Sequence, residues 1–327
     1  MQAPEFWRRR GWQALALEPA AQGFAAAGAL RRALARPVKA PVPVLCVGNL
    51  VAGGAGKTPV TLELARLLTT DGHRPHILTR GYGGALAGPV LVDPRAYDFR
   101  AVGDEALLLA AAAPTWIARD RPAGARAAAA AGAGLILMDD GLQNPSLTKD
   151  LALMVVDAGY GFGNGRVMPA GPLREPRATG LGRAQAAVLI GRDGDHIGPE
   201  LARHLPVAYA RLEPDADPER WRGRRVVAFA GIGRPQKFFD SLAELGADLI
   251  AGIGFPDHHP YRSGELDALM READQAGAAA VTTTKDWVRL PADLRTRVET
   301  LAVRLAWTRP EDEALIRGLV APLLEVR

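Results

Sequence analysis

A glycine-rich loop that follows an apolar run has the residue types best suited to chemistry in this chain. The run Val44–Gly48 leads into Gly53-Gly54-Ala55-Gly56-Lys57-Thr58. Glycines let successive backbone N–H groups surround an anion, Lys57 can reach the outer phosphates of a nucleotide, and the Thr58 hydroxyl can ligate Mg²⁺. The strict pattern has glycine where this chain has Val51, and a chance match in a flexible linker is the alternative. The apolar strand before the loop and the amphipathic segment after it favour a nucleotide-binding loop that ends at Thr58.

Two further segments carry carboxylates in suitable places. The apolar run 134–138 ends in Asp139-Asp140, and such acids can hold Mg²⁺ or its water beside a phosphate loop. Asp139, nearer the strand, is the better candidate, although two acids in a polar turn are common. Asp104 and Glu105 open a predicted helix, where acids also favour the helix dipole. Phosphoryl transfer to a hydroxyl needs a carboxylate, so Asp104 is the candidate base and Glu105 a candidate metal ligand.

A histidine pair and two arginine-bearing loops complete the candidate residues. His258 and His259 lie in a short loop, and because no zinc-type spacing accompanies them, we expect one histidine to orient a carboxylate or to be an ordinary surface residue. The loop 163–175 carries Arg166 and Arg174, which together with the nearby Arg177 could grip a substrate phosphate. The segment 80–84, with Arg80 and Tyr82, is similar in character. Both loops could instead be structural turns with solvated arginines.

Composition restricts the class of protein. The chain has 327 residues, of which 48% are apolar and 23% charged, which is typical of a soluble globular protein with two domains. The single cysteine, Cys46, lies in the apolar strand, cannot form an internal disulfide and indicates a reducing compartment. The net charge is only +4, and no basic stripe with interleaved aromatics predicts nucleic-acid binding. No apolar stretch reaches the ~18 residues of a membrane span.

Alternating strands and helices predict an α/β fold with a mainly parallel sheet. We expect strands at 43–48, 75–79, 114–118, 134–139, 152–157 and 186–190, and helices at 59–71, 103–112 and 121–132. The polar segment 211–223 reads as a linker. A second series follows, with strands expected near 225–230, 247–251, 278–283 and 299–304 and a last helix near 310–324. The prediction is a domain over 1–222 and a smaller α/β domain over 223–327, with a last helix that could pack back on the first.

The N-terminal segment, residues 1–37, is predicted to be helical and partly amphipathic. It mixes aromatics such as Trp7 and Trp12 with the basic cluster Arg8–Arg10. This combination suits a helix lying on an anionic membrane surface. An ordinary helix that covers the sheet or lines a substrate groove is the alternative.

Taken in order, these segments resemble the tetraacyldisaccharide 4'-kinase family of the lipid A pathway. The matching segments span residues 40–290, and they are 47–59, 80–83, 102–105, 139–143, 163–175, 230–233 with Phe238-Phe239, 255–259 and 282–286. No single segment is decisive, but their combination and order are specific, and Val51 belongs to this family's own loop pattern.

The resemblance implies ATP-dependent phosphorylation of the 4'-hydroxyl of a tetraacylated disaccharide 1-phosphate, which gives lipid IVA. It implies a P-loop α/β/α domain joined through a hinge to a smaller α/β domain, with ATP and Mg²⁺ as cofactors. The catalytic Asp falls on Asp104 and its partner on His258, while the loop and Mg²⁺ roles fall on 53–58 and on the Asp139 and Glu105 region. Substrate-binding candidates are Arg80, Tyr82, Gln143, Asn144, Arg166 and Arg174. The expected location is the cytoplasmic face of the bacterial inner membrane, as a peripheral protein without an obligate protein partner.

The sequence departs from the family's pattern in two segments, and two alternative functions are considered. Leu142 and Asn144 occupy positions where the family has Phe and His, so acid–base duty at Asn144 is in doubt; Thr284 replaces a Glu, and we assign it no role. Another P-loop enzyme, such as a GTPase-type metallochaperone or a soluble small-molecule kinase, is one alternative, but no guanine-reading Asn-Lys-x-Asp is found. The other alternative is a nucleotide-binding module without catalysis.

Overall fold

The computed structural model describes residues 4–9, 11–191 and 197–325, and these form two sheets with flanking helices. The strands are β1 Val44–Gly48, β2 Pro75–Thr79, β3 Val90–Leu91, β4 Thr115–Ile117, β5 Leu135–Asp139, β6 Leu151–Asp157, β7 Ala186–Ile190, β8 Val207–Pro214, β9 Arg225–Ala230, β10 Asp248–Gly254, β11 Ala279–Thr283, β12 Val298–Leu301 and β13 Val303–Trp307. The α-helices are α1 Trp12–Ala16, α2 Glu18–Leu34, α3 Lys57–Thr70, α4 Phe99–Val102, α5 Asp104–Ala110, α6 Arg121–Ala130, α7 Arg177–Leu181, α8 Ile197–Ala202, α9 Pro235–Glu244, α10 Ser263–Ala276, α11 Thr284–Trp287, α12 Ala292–Arg295 and α13 Pro310–Glu325. Short 3₁₀ turns occupy Glu5–Trp7 and Pro218–Arg220.

The larger sheet is the platform of the site. Its nine strands run in the order β13-β8-β7-β6-β1-β5-β2-β4-β3. The central pairs are parallel, and only the edge pairs β3–β4 and β8–β13 are antiparallel. Because the carboxyl ends of parallel strands meet at one edge of the sheet, residues that follow β1, β2 and β5 are brought close together.

Both faces of this sheet are buried, which explains its apolar strands. Val44 and Cys46 of β1 pack on the face covered by α6, α7 and α8, whereas Leu45 and Val47 pack on the face covered by α3, α5 and α13. Because both sides of these strands are buried, their residues are apolar throughout, whereas a strand with one exposed face alternates apolar and polar residues. Burial raises the pKa of the Cys46 thiol to about 12, so this cysteine is an inert core residue.

The smaller sheet has four parallel strands in the order β10-β9-β11-β12. One face packs on α9 around the fully buried Trp221, and the other packs on α10. The loop after β10, which carries His258, faces Asp104 beside the larger sheet, and the residues that follow β9 and β11 pack against that loop.

The expected strands of the first series and the three expected helices lie within two residues of the observed elements. Two expectations need correction. The expected linker 211–223 begins inside β8, which ends at Pro214. The expected strand 299–304 is two strands, β12 and β13, in different sheets. Residues 303–325 lie against the larger sheet, with Leu305, Ile316 and Val320 in its core.

The N-terminal segment is helical in α1 and α2 and presents apolar side chains to solvent. Trp12 and Leu34 are each 73% exposed, and Leu15 and Leu30 are exposed as well. Arg10, a member of the basic cluster, lies outside the described residues. Within the described ranges, the chain has no helix with the length and apolar character needed to cross a bilayer.

Candidate phosphate-binding loop and catalytic site

The loop between β1 and α3 has the backbone of an anion-binding turn. Gly53 and Gly56 adopt φ of 116° and 86°, in the region that disfavours side chains. A Cβ on Gly56 would lie 2.6 Å from Ile190 Cδ1, the flexible end of a side chain, so it is the positive φ that favours glycine here. Gly53 and Gly54 are exposed and Ala55 is buried, and α3 starts at Lys57, with Thr58 in its first turn. Backbone N–H groups and the positive helix end therefore converge at one exposed turn.

The structure explains why Val51 replaces a glycine. Val51 forms an antiparallel bridge with Leu173, and Ala52 N donates to Pro172 O at 2.8 Å. The start of the loop is thus paired with the end of the Gly/Pro-rich loop 163–175. Asn49 Nδ2 donates to Val51 O at 2.9 Å, which fixes the same turn from inside. A β-branched residue suits this extended, 93% buried position (7% exposed).

Lys57 and the Asp139-Asp140 pair lie together beside the loop. Lys57 Nζ is 3.4 Å from Asn49 Oδ1 and 3.5 Å from Asp140 Oδ1. Burial would raise the pKa of Asp140, but the charges of Lys57 and Arg174 outweigh it and lower that pKa. Asp140 Oδ1 also accepts from Arg174 Nη1 at 2.7 Å, so two cations share this oxygen.

Asp139 has a buried carboxylate oxygen without a hydrogen-bond partner. Its side chain is 1% exposed, Oδ1 accepts from Thr61 Oγ1 at 3.1 Å, and Oδ2 is buried without a hydrogen-bond partner. Burial, with a smaller contribution from the charge of Glu105, raises the pKa of Asp139 to about 7. A buried carboxylate oxygen that lacks a partner fits a cation bound there.

The donor set fits Mg²⁺ better than a metal held by protein alone. Across the described ranges, three or more His, Cys, Asp or Glu side chains nowhere gather as a ready-made metal site. Mg²⁺ keeps several waters and is bound through one or two carboxylates plus substrate phosphates. Asp139, Glu105 and the Thr58 hydroxyl are oxygen donors of that kind at the phosphate loop.

Asp104 and His258 meet across the gap between the two sheets. His258 Nδ1 lies 2.9 Å from Asp104 Oδ2, although the two residues are 154 positions apart in sequence. The Asp104 side chain is 6% exposed and that of His258 is 37% exposed. Asp104 Oδ1 accepts from Glu105 N at 2.9 Å, so both carboxylate oxygens are oriented.

The electrostatics around Asp104 favour its ionised form. Burial alone would raise the pKa of Asp104, but the hydrogen bond with His258 and the charges of Lys285 and Arg289 outweigh it and lower that pKa. Arg289 Nε lies 3.6 Å from Asp104 Oδ2. A carboxylate that stays ionised can accept a proton from a hydroxyl at neutral pH.

Glycines press the loop 80–84 against the start of α5. Gly103 has φ of 89°, and a Cβ there would lie 2.4 Å from Tyr82 O. A Cβ on Gly81, whose φ is 70°, would lie 3.1 Å from Val102 O, so both segments favour glycine where they cross. The Tyr82 and His258 rings are 6.3 Å apart and edge-on. Arg80 and Tyr82 line the cleft beside the Asp104–His258 pair.

A buried polar network holds the His258 loop, and sequence reasoning gave its residues no role. Asp286, which is 0% exposed, accepts from Gly231 N at 2.9 Å, Tyr261 Oη at 2.8 Å and Arg289 Nη2 at 2.8 Å. His258 adopts φ of 59°, a strained value for a residue with a side chain. The Thr-Thr-Thr-Lys-Asp segment, 282–286, was the available signal in the sequence, but the partners Gly231 and Tyr261 come close to Asp286 only in the folded chain.

The remaining substrate candidates have different surroundings. Gln143 Nε2 donates to Asn49 O at 2.9 Å and Glu175 Oε1 at 3.0 Å, while Asn144 Oδ1 accepts from Ser146 N at 3.0 Å. Gln143, Asn144 and Arg174 line the cleft. Arg166 pairs with Glu18 of α2, and Arg177 pairs with Glu200; neither is among the residues that line the cleft.

The N-terminal segment is attached to the loops that build the site. Trp7 Nε1 donates to Pro169 O at 3.0 Å, and Asn164 N donates to Trp7 O at 2.7 Å. At the end of α2, Arg32 lies 3.5 Å from the buried Glu175. The exposed apolar side chains of α1 and α2 are therefore held in a fixed relation to the phosphate loop.

A cleft of about 2920 Å³ joins these parts. It is lined by the phosphate loop, by Glu105 and Asp140, by Trp7 and Arg8 from the N-terminal segment, and by His258 from the smaller sheet. Arg234, which directly precedes α9, forms an ion pair with Asp157 at the end of β6. The space is large enough for a nucleotide and a second, bulky ligand.

Comparison with known proteins agrees with this geometry. A family model described as LpxK: Tetraacyldisaccharide-1-P 4'-kinase matches residues 13–321. The tetraacyldisaccharide 4'-kinase of Rhodospirillum centenum is 55% identical over 333 residues, covering 99% of this chain and 97% of the relative. That of Paramagnetospirillum magneticum is 54% identical, covering 99% and 98%. A crystal structure of LpxK from Aquifex aeolicus in complex with ATP has a TM-score of 0.75 and 26% identity, covering 95% of this chain and 99% of that one. The chain therefore belongs to the tetraacyldisaccharide 4'-kinase family.

Proposed function

We propose that this protein transfers the γ-phosphate of ATP to the 4'-hydroxyl of tetraacyldisaccharide 1-phosphate, forming lipid IVA in lipid A biosynthesis. The observation that carries the proposal is the meeting of Asp104 and His258 at 2.9 Å beside a phosphate-type loop, in a chain of this family. An oriented carboxylate next to that loop is what transfer to an alcohol requires.

The chemistry assigns one role to each group. Asp104 accepts the proton of the 4'-hydroxyl as the sugar oxygen forms its bond to the γ-phosphorus. The bond from that phosphorus to the β,γ-bridging oxygen breaks, and ADP leaves. Backbone N–H groups of 53–58 and the Lys57 ammonium hold the phosphate oxygens, while His258 orients Asp104.

Mg²⁺ would bind through Asp139, Glu105 and the Thr58 hydroxyl. When bound, it supplies neutralisation of charge on the phosphate oxygens. The unpartnered Oδ2 of Asp139 supports this assignment. Addition of excess EDTA should abolish turnover, and added MgCl₂ should restore it; turnover that persists in EDTA would contradict the metal assignment.

The lipid substrate places the enzyme at a membrane surface. Four acyl chains keep the disaccharide in the bilayer, so the kinase works at the interface, here proposed as the cytoplasmic face of the inner membrane. The exposed Trp12, Leu15 and Leu34 would enter the headgroup region, with Arg8 and Arg9 near anionic lipid. Arg80, Tyr82, Gln143, Asn144 and Arg174 are the proposed substrate-binding side chains. Arg166, which pairs with Glu18, would act by holding α2.

The reaction itself is tested with the purified full chain. It is incubated with γ-labelled ATP and tetraacyldisaccharide 1-phosphate in detergent micelles, and the lipid is analysed by mass spectrometry. We expect a product one phosphate heavier than the substrate, labelled on the sugar. Hydrolysis of ATP without labelled lipid, or preference for GTP, would favour another P-loop enzyme.

The membrane proposal is tested with surface substitutions, since removing residues 1–35 would also remove the Arg32–Glu175 contact. Trp12→Ser, Leu15→Ser and Leu34→Ser are combined, and binding to phosphatidylethanolamine–phosphatidylglycerol vesicles is measured by sedimentation. Each inserted side chain is worth ~1.5–3 kcal/mol, so partition should fall by at least about tenfold. Leu91→Ser, at a 46% exposed position of β3, is the control. Unchanged partition of the triple variant would contradict the proposal.

A further inference from the structure

The Thr-Thr-Thr-Lys-Asp segment, 282–286, reaches the catalytic pair through its lysine. Lys285 Nζ lies 3.1 Å from His258 Nε2 and 3.5 Å from Asp257 Oδ1. His258 is therefore contacted on both ring nitrogens, by Asp104 on Nδ1 and by Lys285 on Nε2. These contacts form a row of three side chains from α5, the 255–261 loop and α11.

The chemistry of an ammonium group fixes the hydrogens in this row. A lysine ammonium has three N–H donors and no acceptor, so in this contact His258 Nε2 must accept. The ring proton of neutral His258 is then on Nδ1, where it is donated to Asp104 Oδ2. An ionised carboxylate has no hydrogen to donate and can only accept. The three groups therefore fit one arrangement, in which Lys285 donates to Nε2 and Nδ1 donates to Asp104.

The backbone of Lys285 is held in place by its neighbours in and after α11. Its helix, α11, is capped by the preceding Thr283, whose Oγ1 accepts from Asp286 N at 3.1 Å. Asp286 is held by its buried hydrogen bonds with Gly231 and Tyr261. The Lys285 carbonyl accepts from Arg289 Nε at 3.2 Å. Because the backbone is fixed on both sides of Lys285 and its side chain is only 23% exposed, the ammonium group is directed at the 255–261 loop, where it contacts His258 Nε2 and Asp257 Oδ1.

We propose that Lys285 is a positioning residue that keeps the Nε2 nitrogen of His258 free of hydrogen, so that His258 donates from Nδ1 and aims Asp104 at the acceptor hydroxyl. His258 cannot take the substrate proton while Lys285 donates to its second nitrogen. The proton of the alcohol therefore goes to Asp104, and His258 acts as its orienting partner. This inference rests on the proposed function for its catalytic consequence, although the hydrogen position on His258 is measurable without turnover.

The charges around His258 support this arrangement. It faces Asp104 from α5, Asp257 from its own loop, whose Oδ1 is 3.9 Å from Nε2, and Lys285 from α11. Arg289 reaches the same carboxylate of Asp104 at 3.6 Å. The Lys285 charge also contributes to lowering the pKa of Asp104, after the hydrogen bond with His258.

The test combines ring ¹⁵N NMR of His258 with steady-state kinetics on the full chain. Signals of the six histidines are assigned with a His258→Gln variant. In the wild-type protein we expect hydrogen on Nδ1 and none on Nε2 of His258 at pH 7.5. In Lys285→Met the fraction of Nε2 that carries hydrogen should rise, and kcat should fall by about tenfold or more while KM for ATP stays within about twofold. Lys285→Arg, which keeps a cationic donor, should recover most of kcat.

Controls separate positioning from folding and from the proposed function. Lys39→Met, at an exposed position before β1, should leave both readouts unchanged, and melting temperatures check that each variant folds. If Lys285→Met is unstable, Lys285→Leu provides a second variant without a donor. Hydrogen on Nε2 in the wild-type protein, or a change in only one of the two readouts in Lys285→Met, would overturn the inference. If wild-type protein forms no lipid product, the proposed function fails, while the NMR signals still decide the Lys285–His258 contact.

Discussion

The buried pair Asp286–Arg289 gives the most quantitative prediction about the site. Both side chains are almost fully buried, at 0% and 2% exposed, and Arg289 Nη2 is 2.8 Å from Asp286 Oδ1. Asp286→Asn keeps the shape but removes the nearer of the two carboxylates beside Arg289, the other being Asp104 at 3.6 Å. Breaking a buried pair by changing one partner costs ~3–5 kcal/mol because the other charge loses its compensation.

That cost is a large share of the ~5–15 kcal/mol that stabilises a typical domain. We therefore expect Asp286→Asn to lower strongly the urea concentration at which the smaller sheet unfolds. Unfolding is monitored by the fluorescence of the fully buried Trp221 and by circular dichroism. The double variant with Arg289→Met should be less destabilised than the sum of the two single variants, since no lone charge remains buried. Because Asp286 also holds the loop that carries His258, kcat of Asp286→Asn should fall even where the protein is folded.

Asp274→Asn is the matched control. Asp274 is 66% exposed and pairs with Arg297 at 3.2 Å on the surface, where such a pair is worth ~0–1 kcal/mol. An Asp286→Asn cost no larger than that of Asp274→Asn, or strict additivity with Arg289→Met, would refute the reasoning.

Three further outcomes follow from single contacts. Gly103→Ala should lower both melting temperature and kcat, because its φ of 89° costs a side chain ~1–2 kcal/mol and the new Cβ would meet Tyr82 O at 2.4 Å; wild-type values would contradict the close approach. The pKa of Asp312 is lowered, since its bonds with Arg309 outweigh burial, so its stabilisation is present above the unfolded pKa of about 4 and is lost as pH falls through the folded pKa. Asp312→Asn should thus cost stability at pH 7 but little at about pH 2, measured by urea unfolding at each pH. Glu175→Gln should cost ~3 kcal/mol in the same assay, because the 1% exposed carboxylate is shared by two arginines; a cost below ~1 kcal/mol would argue against that network.

Contiguous patterns made much of the larger sheet predictable. Buried strands followed by glycine or acidic residues occur at 44–58 and 134–140, and their periodicity and turn residues are local signals. The Asp104–His258 pair was reached through the family resemblance, because 154 positions separate the two residues and no local signal links them.

The parts that sequence reasoning missed depend on tertiary contacts. β12 and β13 are separated only by residue 302, so their pattern reads as one strand although they join different sheets. The ion pair of Arg166 with Glu18 has no local signal, because Glu18 lies in a helix 148 positions earlier. Lys285, Asp286 and Arg289 lie within one turn-rich segment, and their importance appears only when α11 packs beside α5.

The most direct test of the proton acceptor is the kinetics of Asp104→Asn with ATP and the disaccharide lipid. The amide keeps the shape and can still accept from Glu105 N, so folding and ATP binding should be preserved. We predict that kcat falls by at least about 100-fold, the smallest loss expected for a general base, with KM for ATP within about threefold. A kcat within about fivefold of wild type would contradict the claim that Asp104 takes the proton of the sugar hydroxyl.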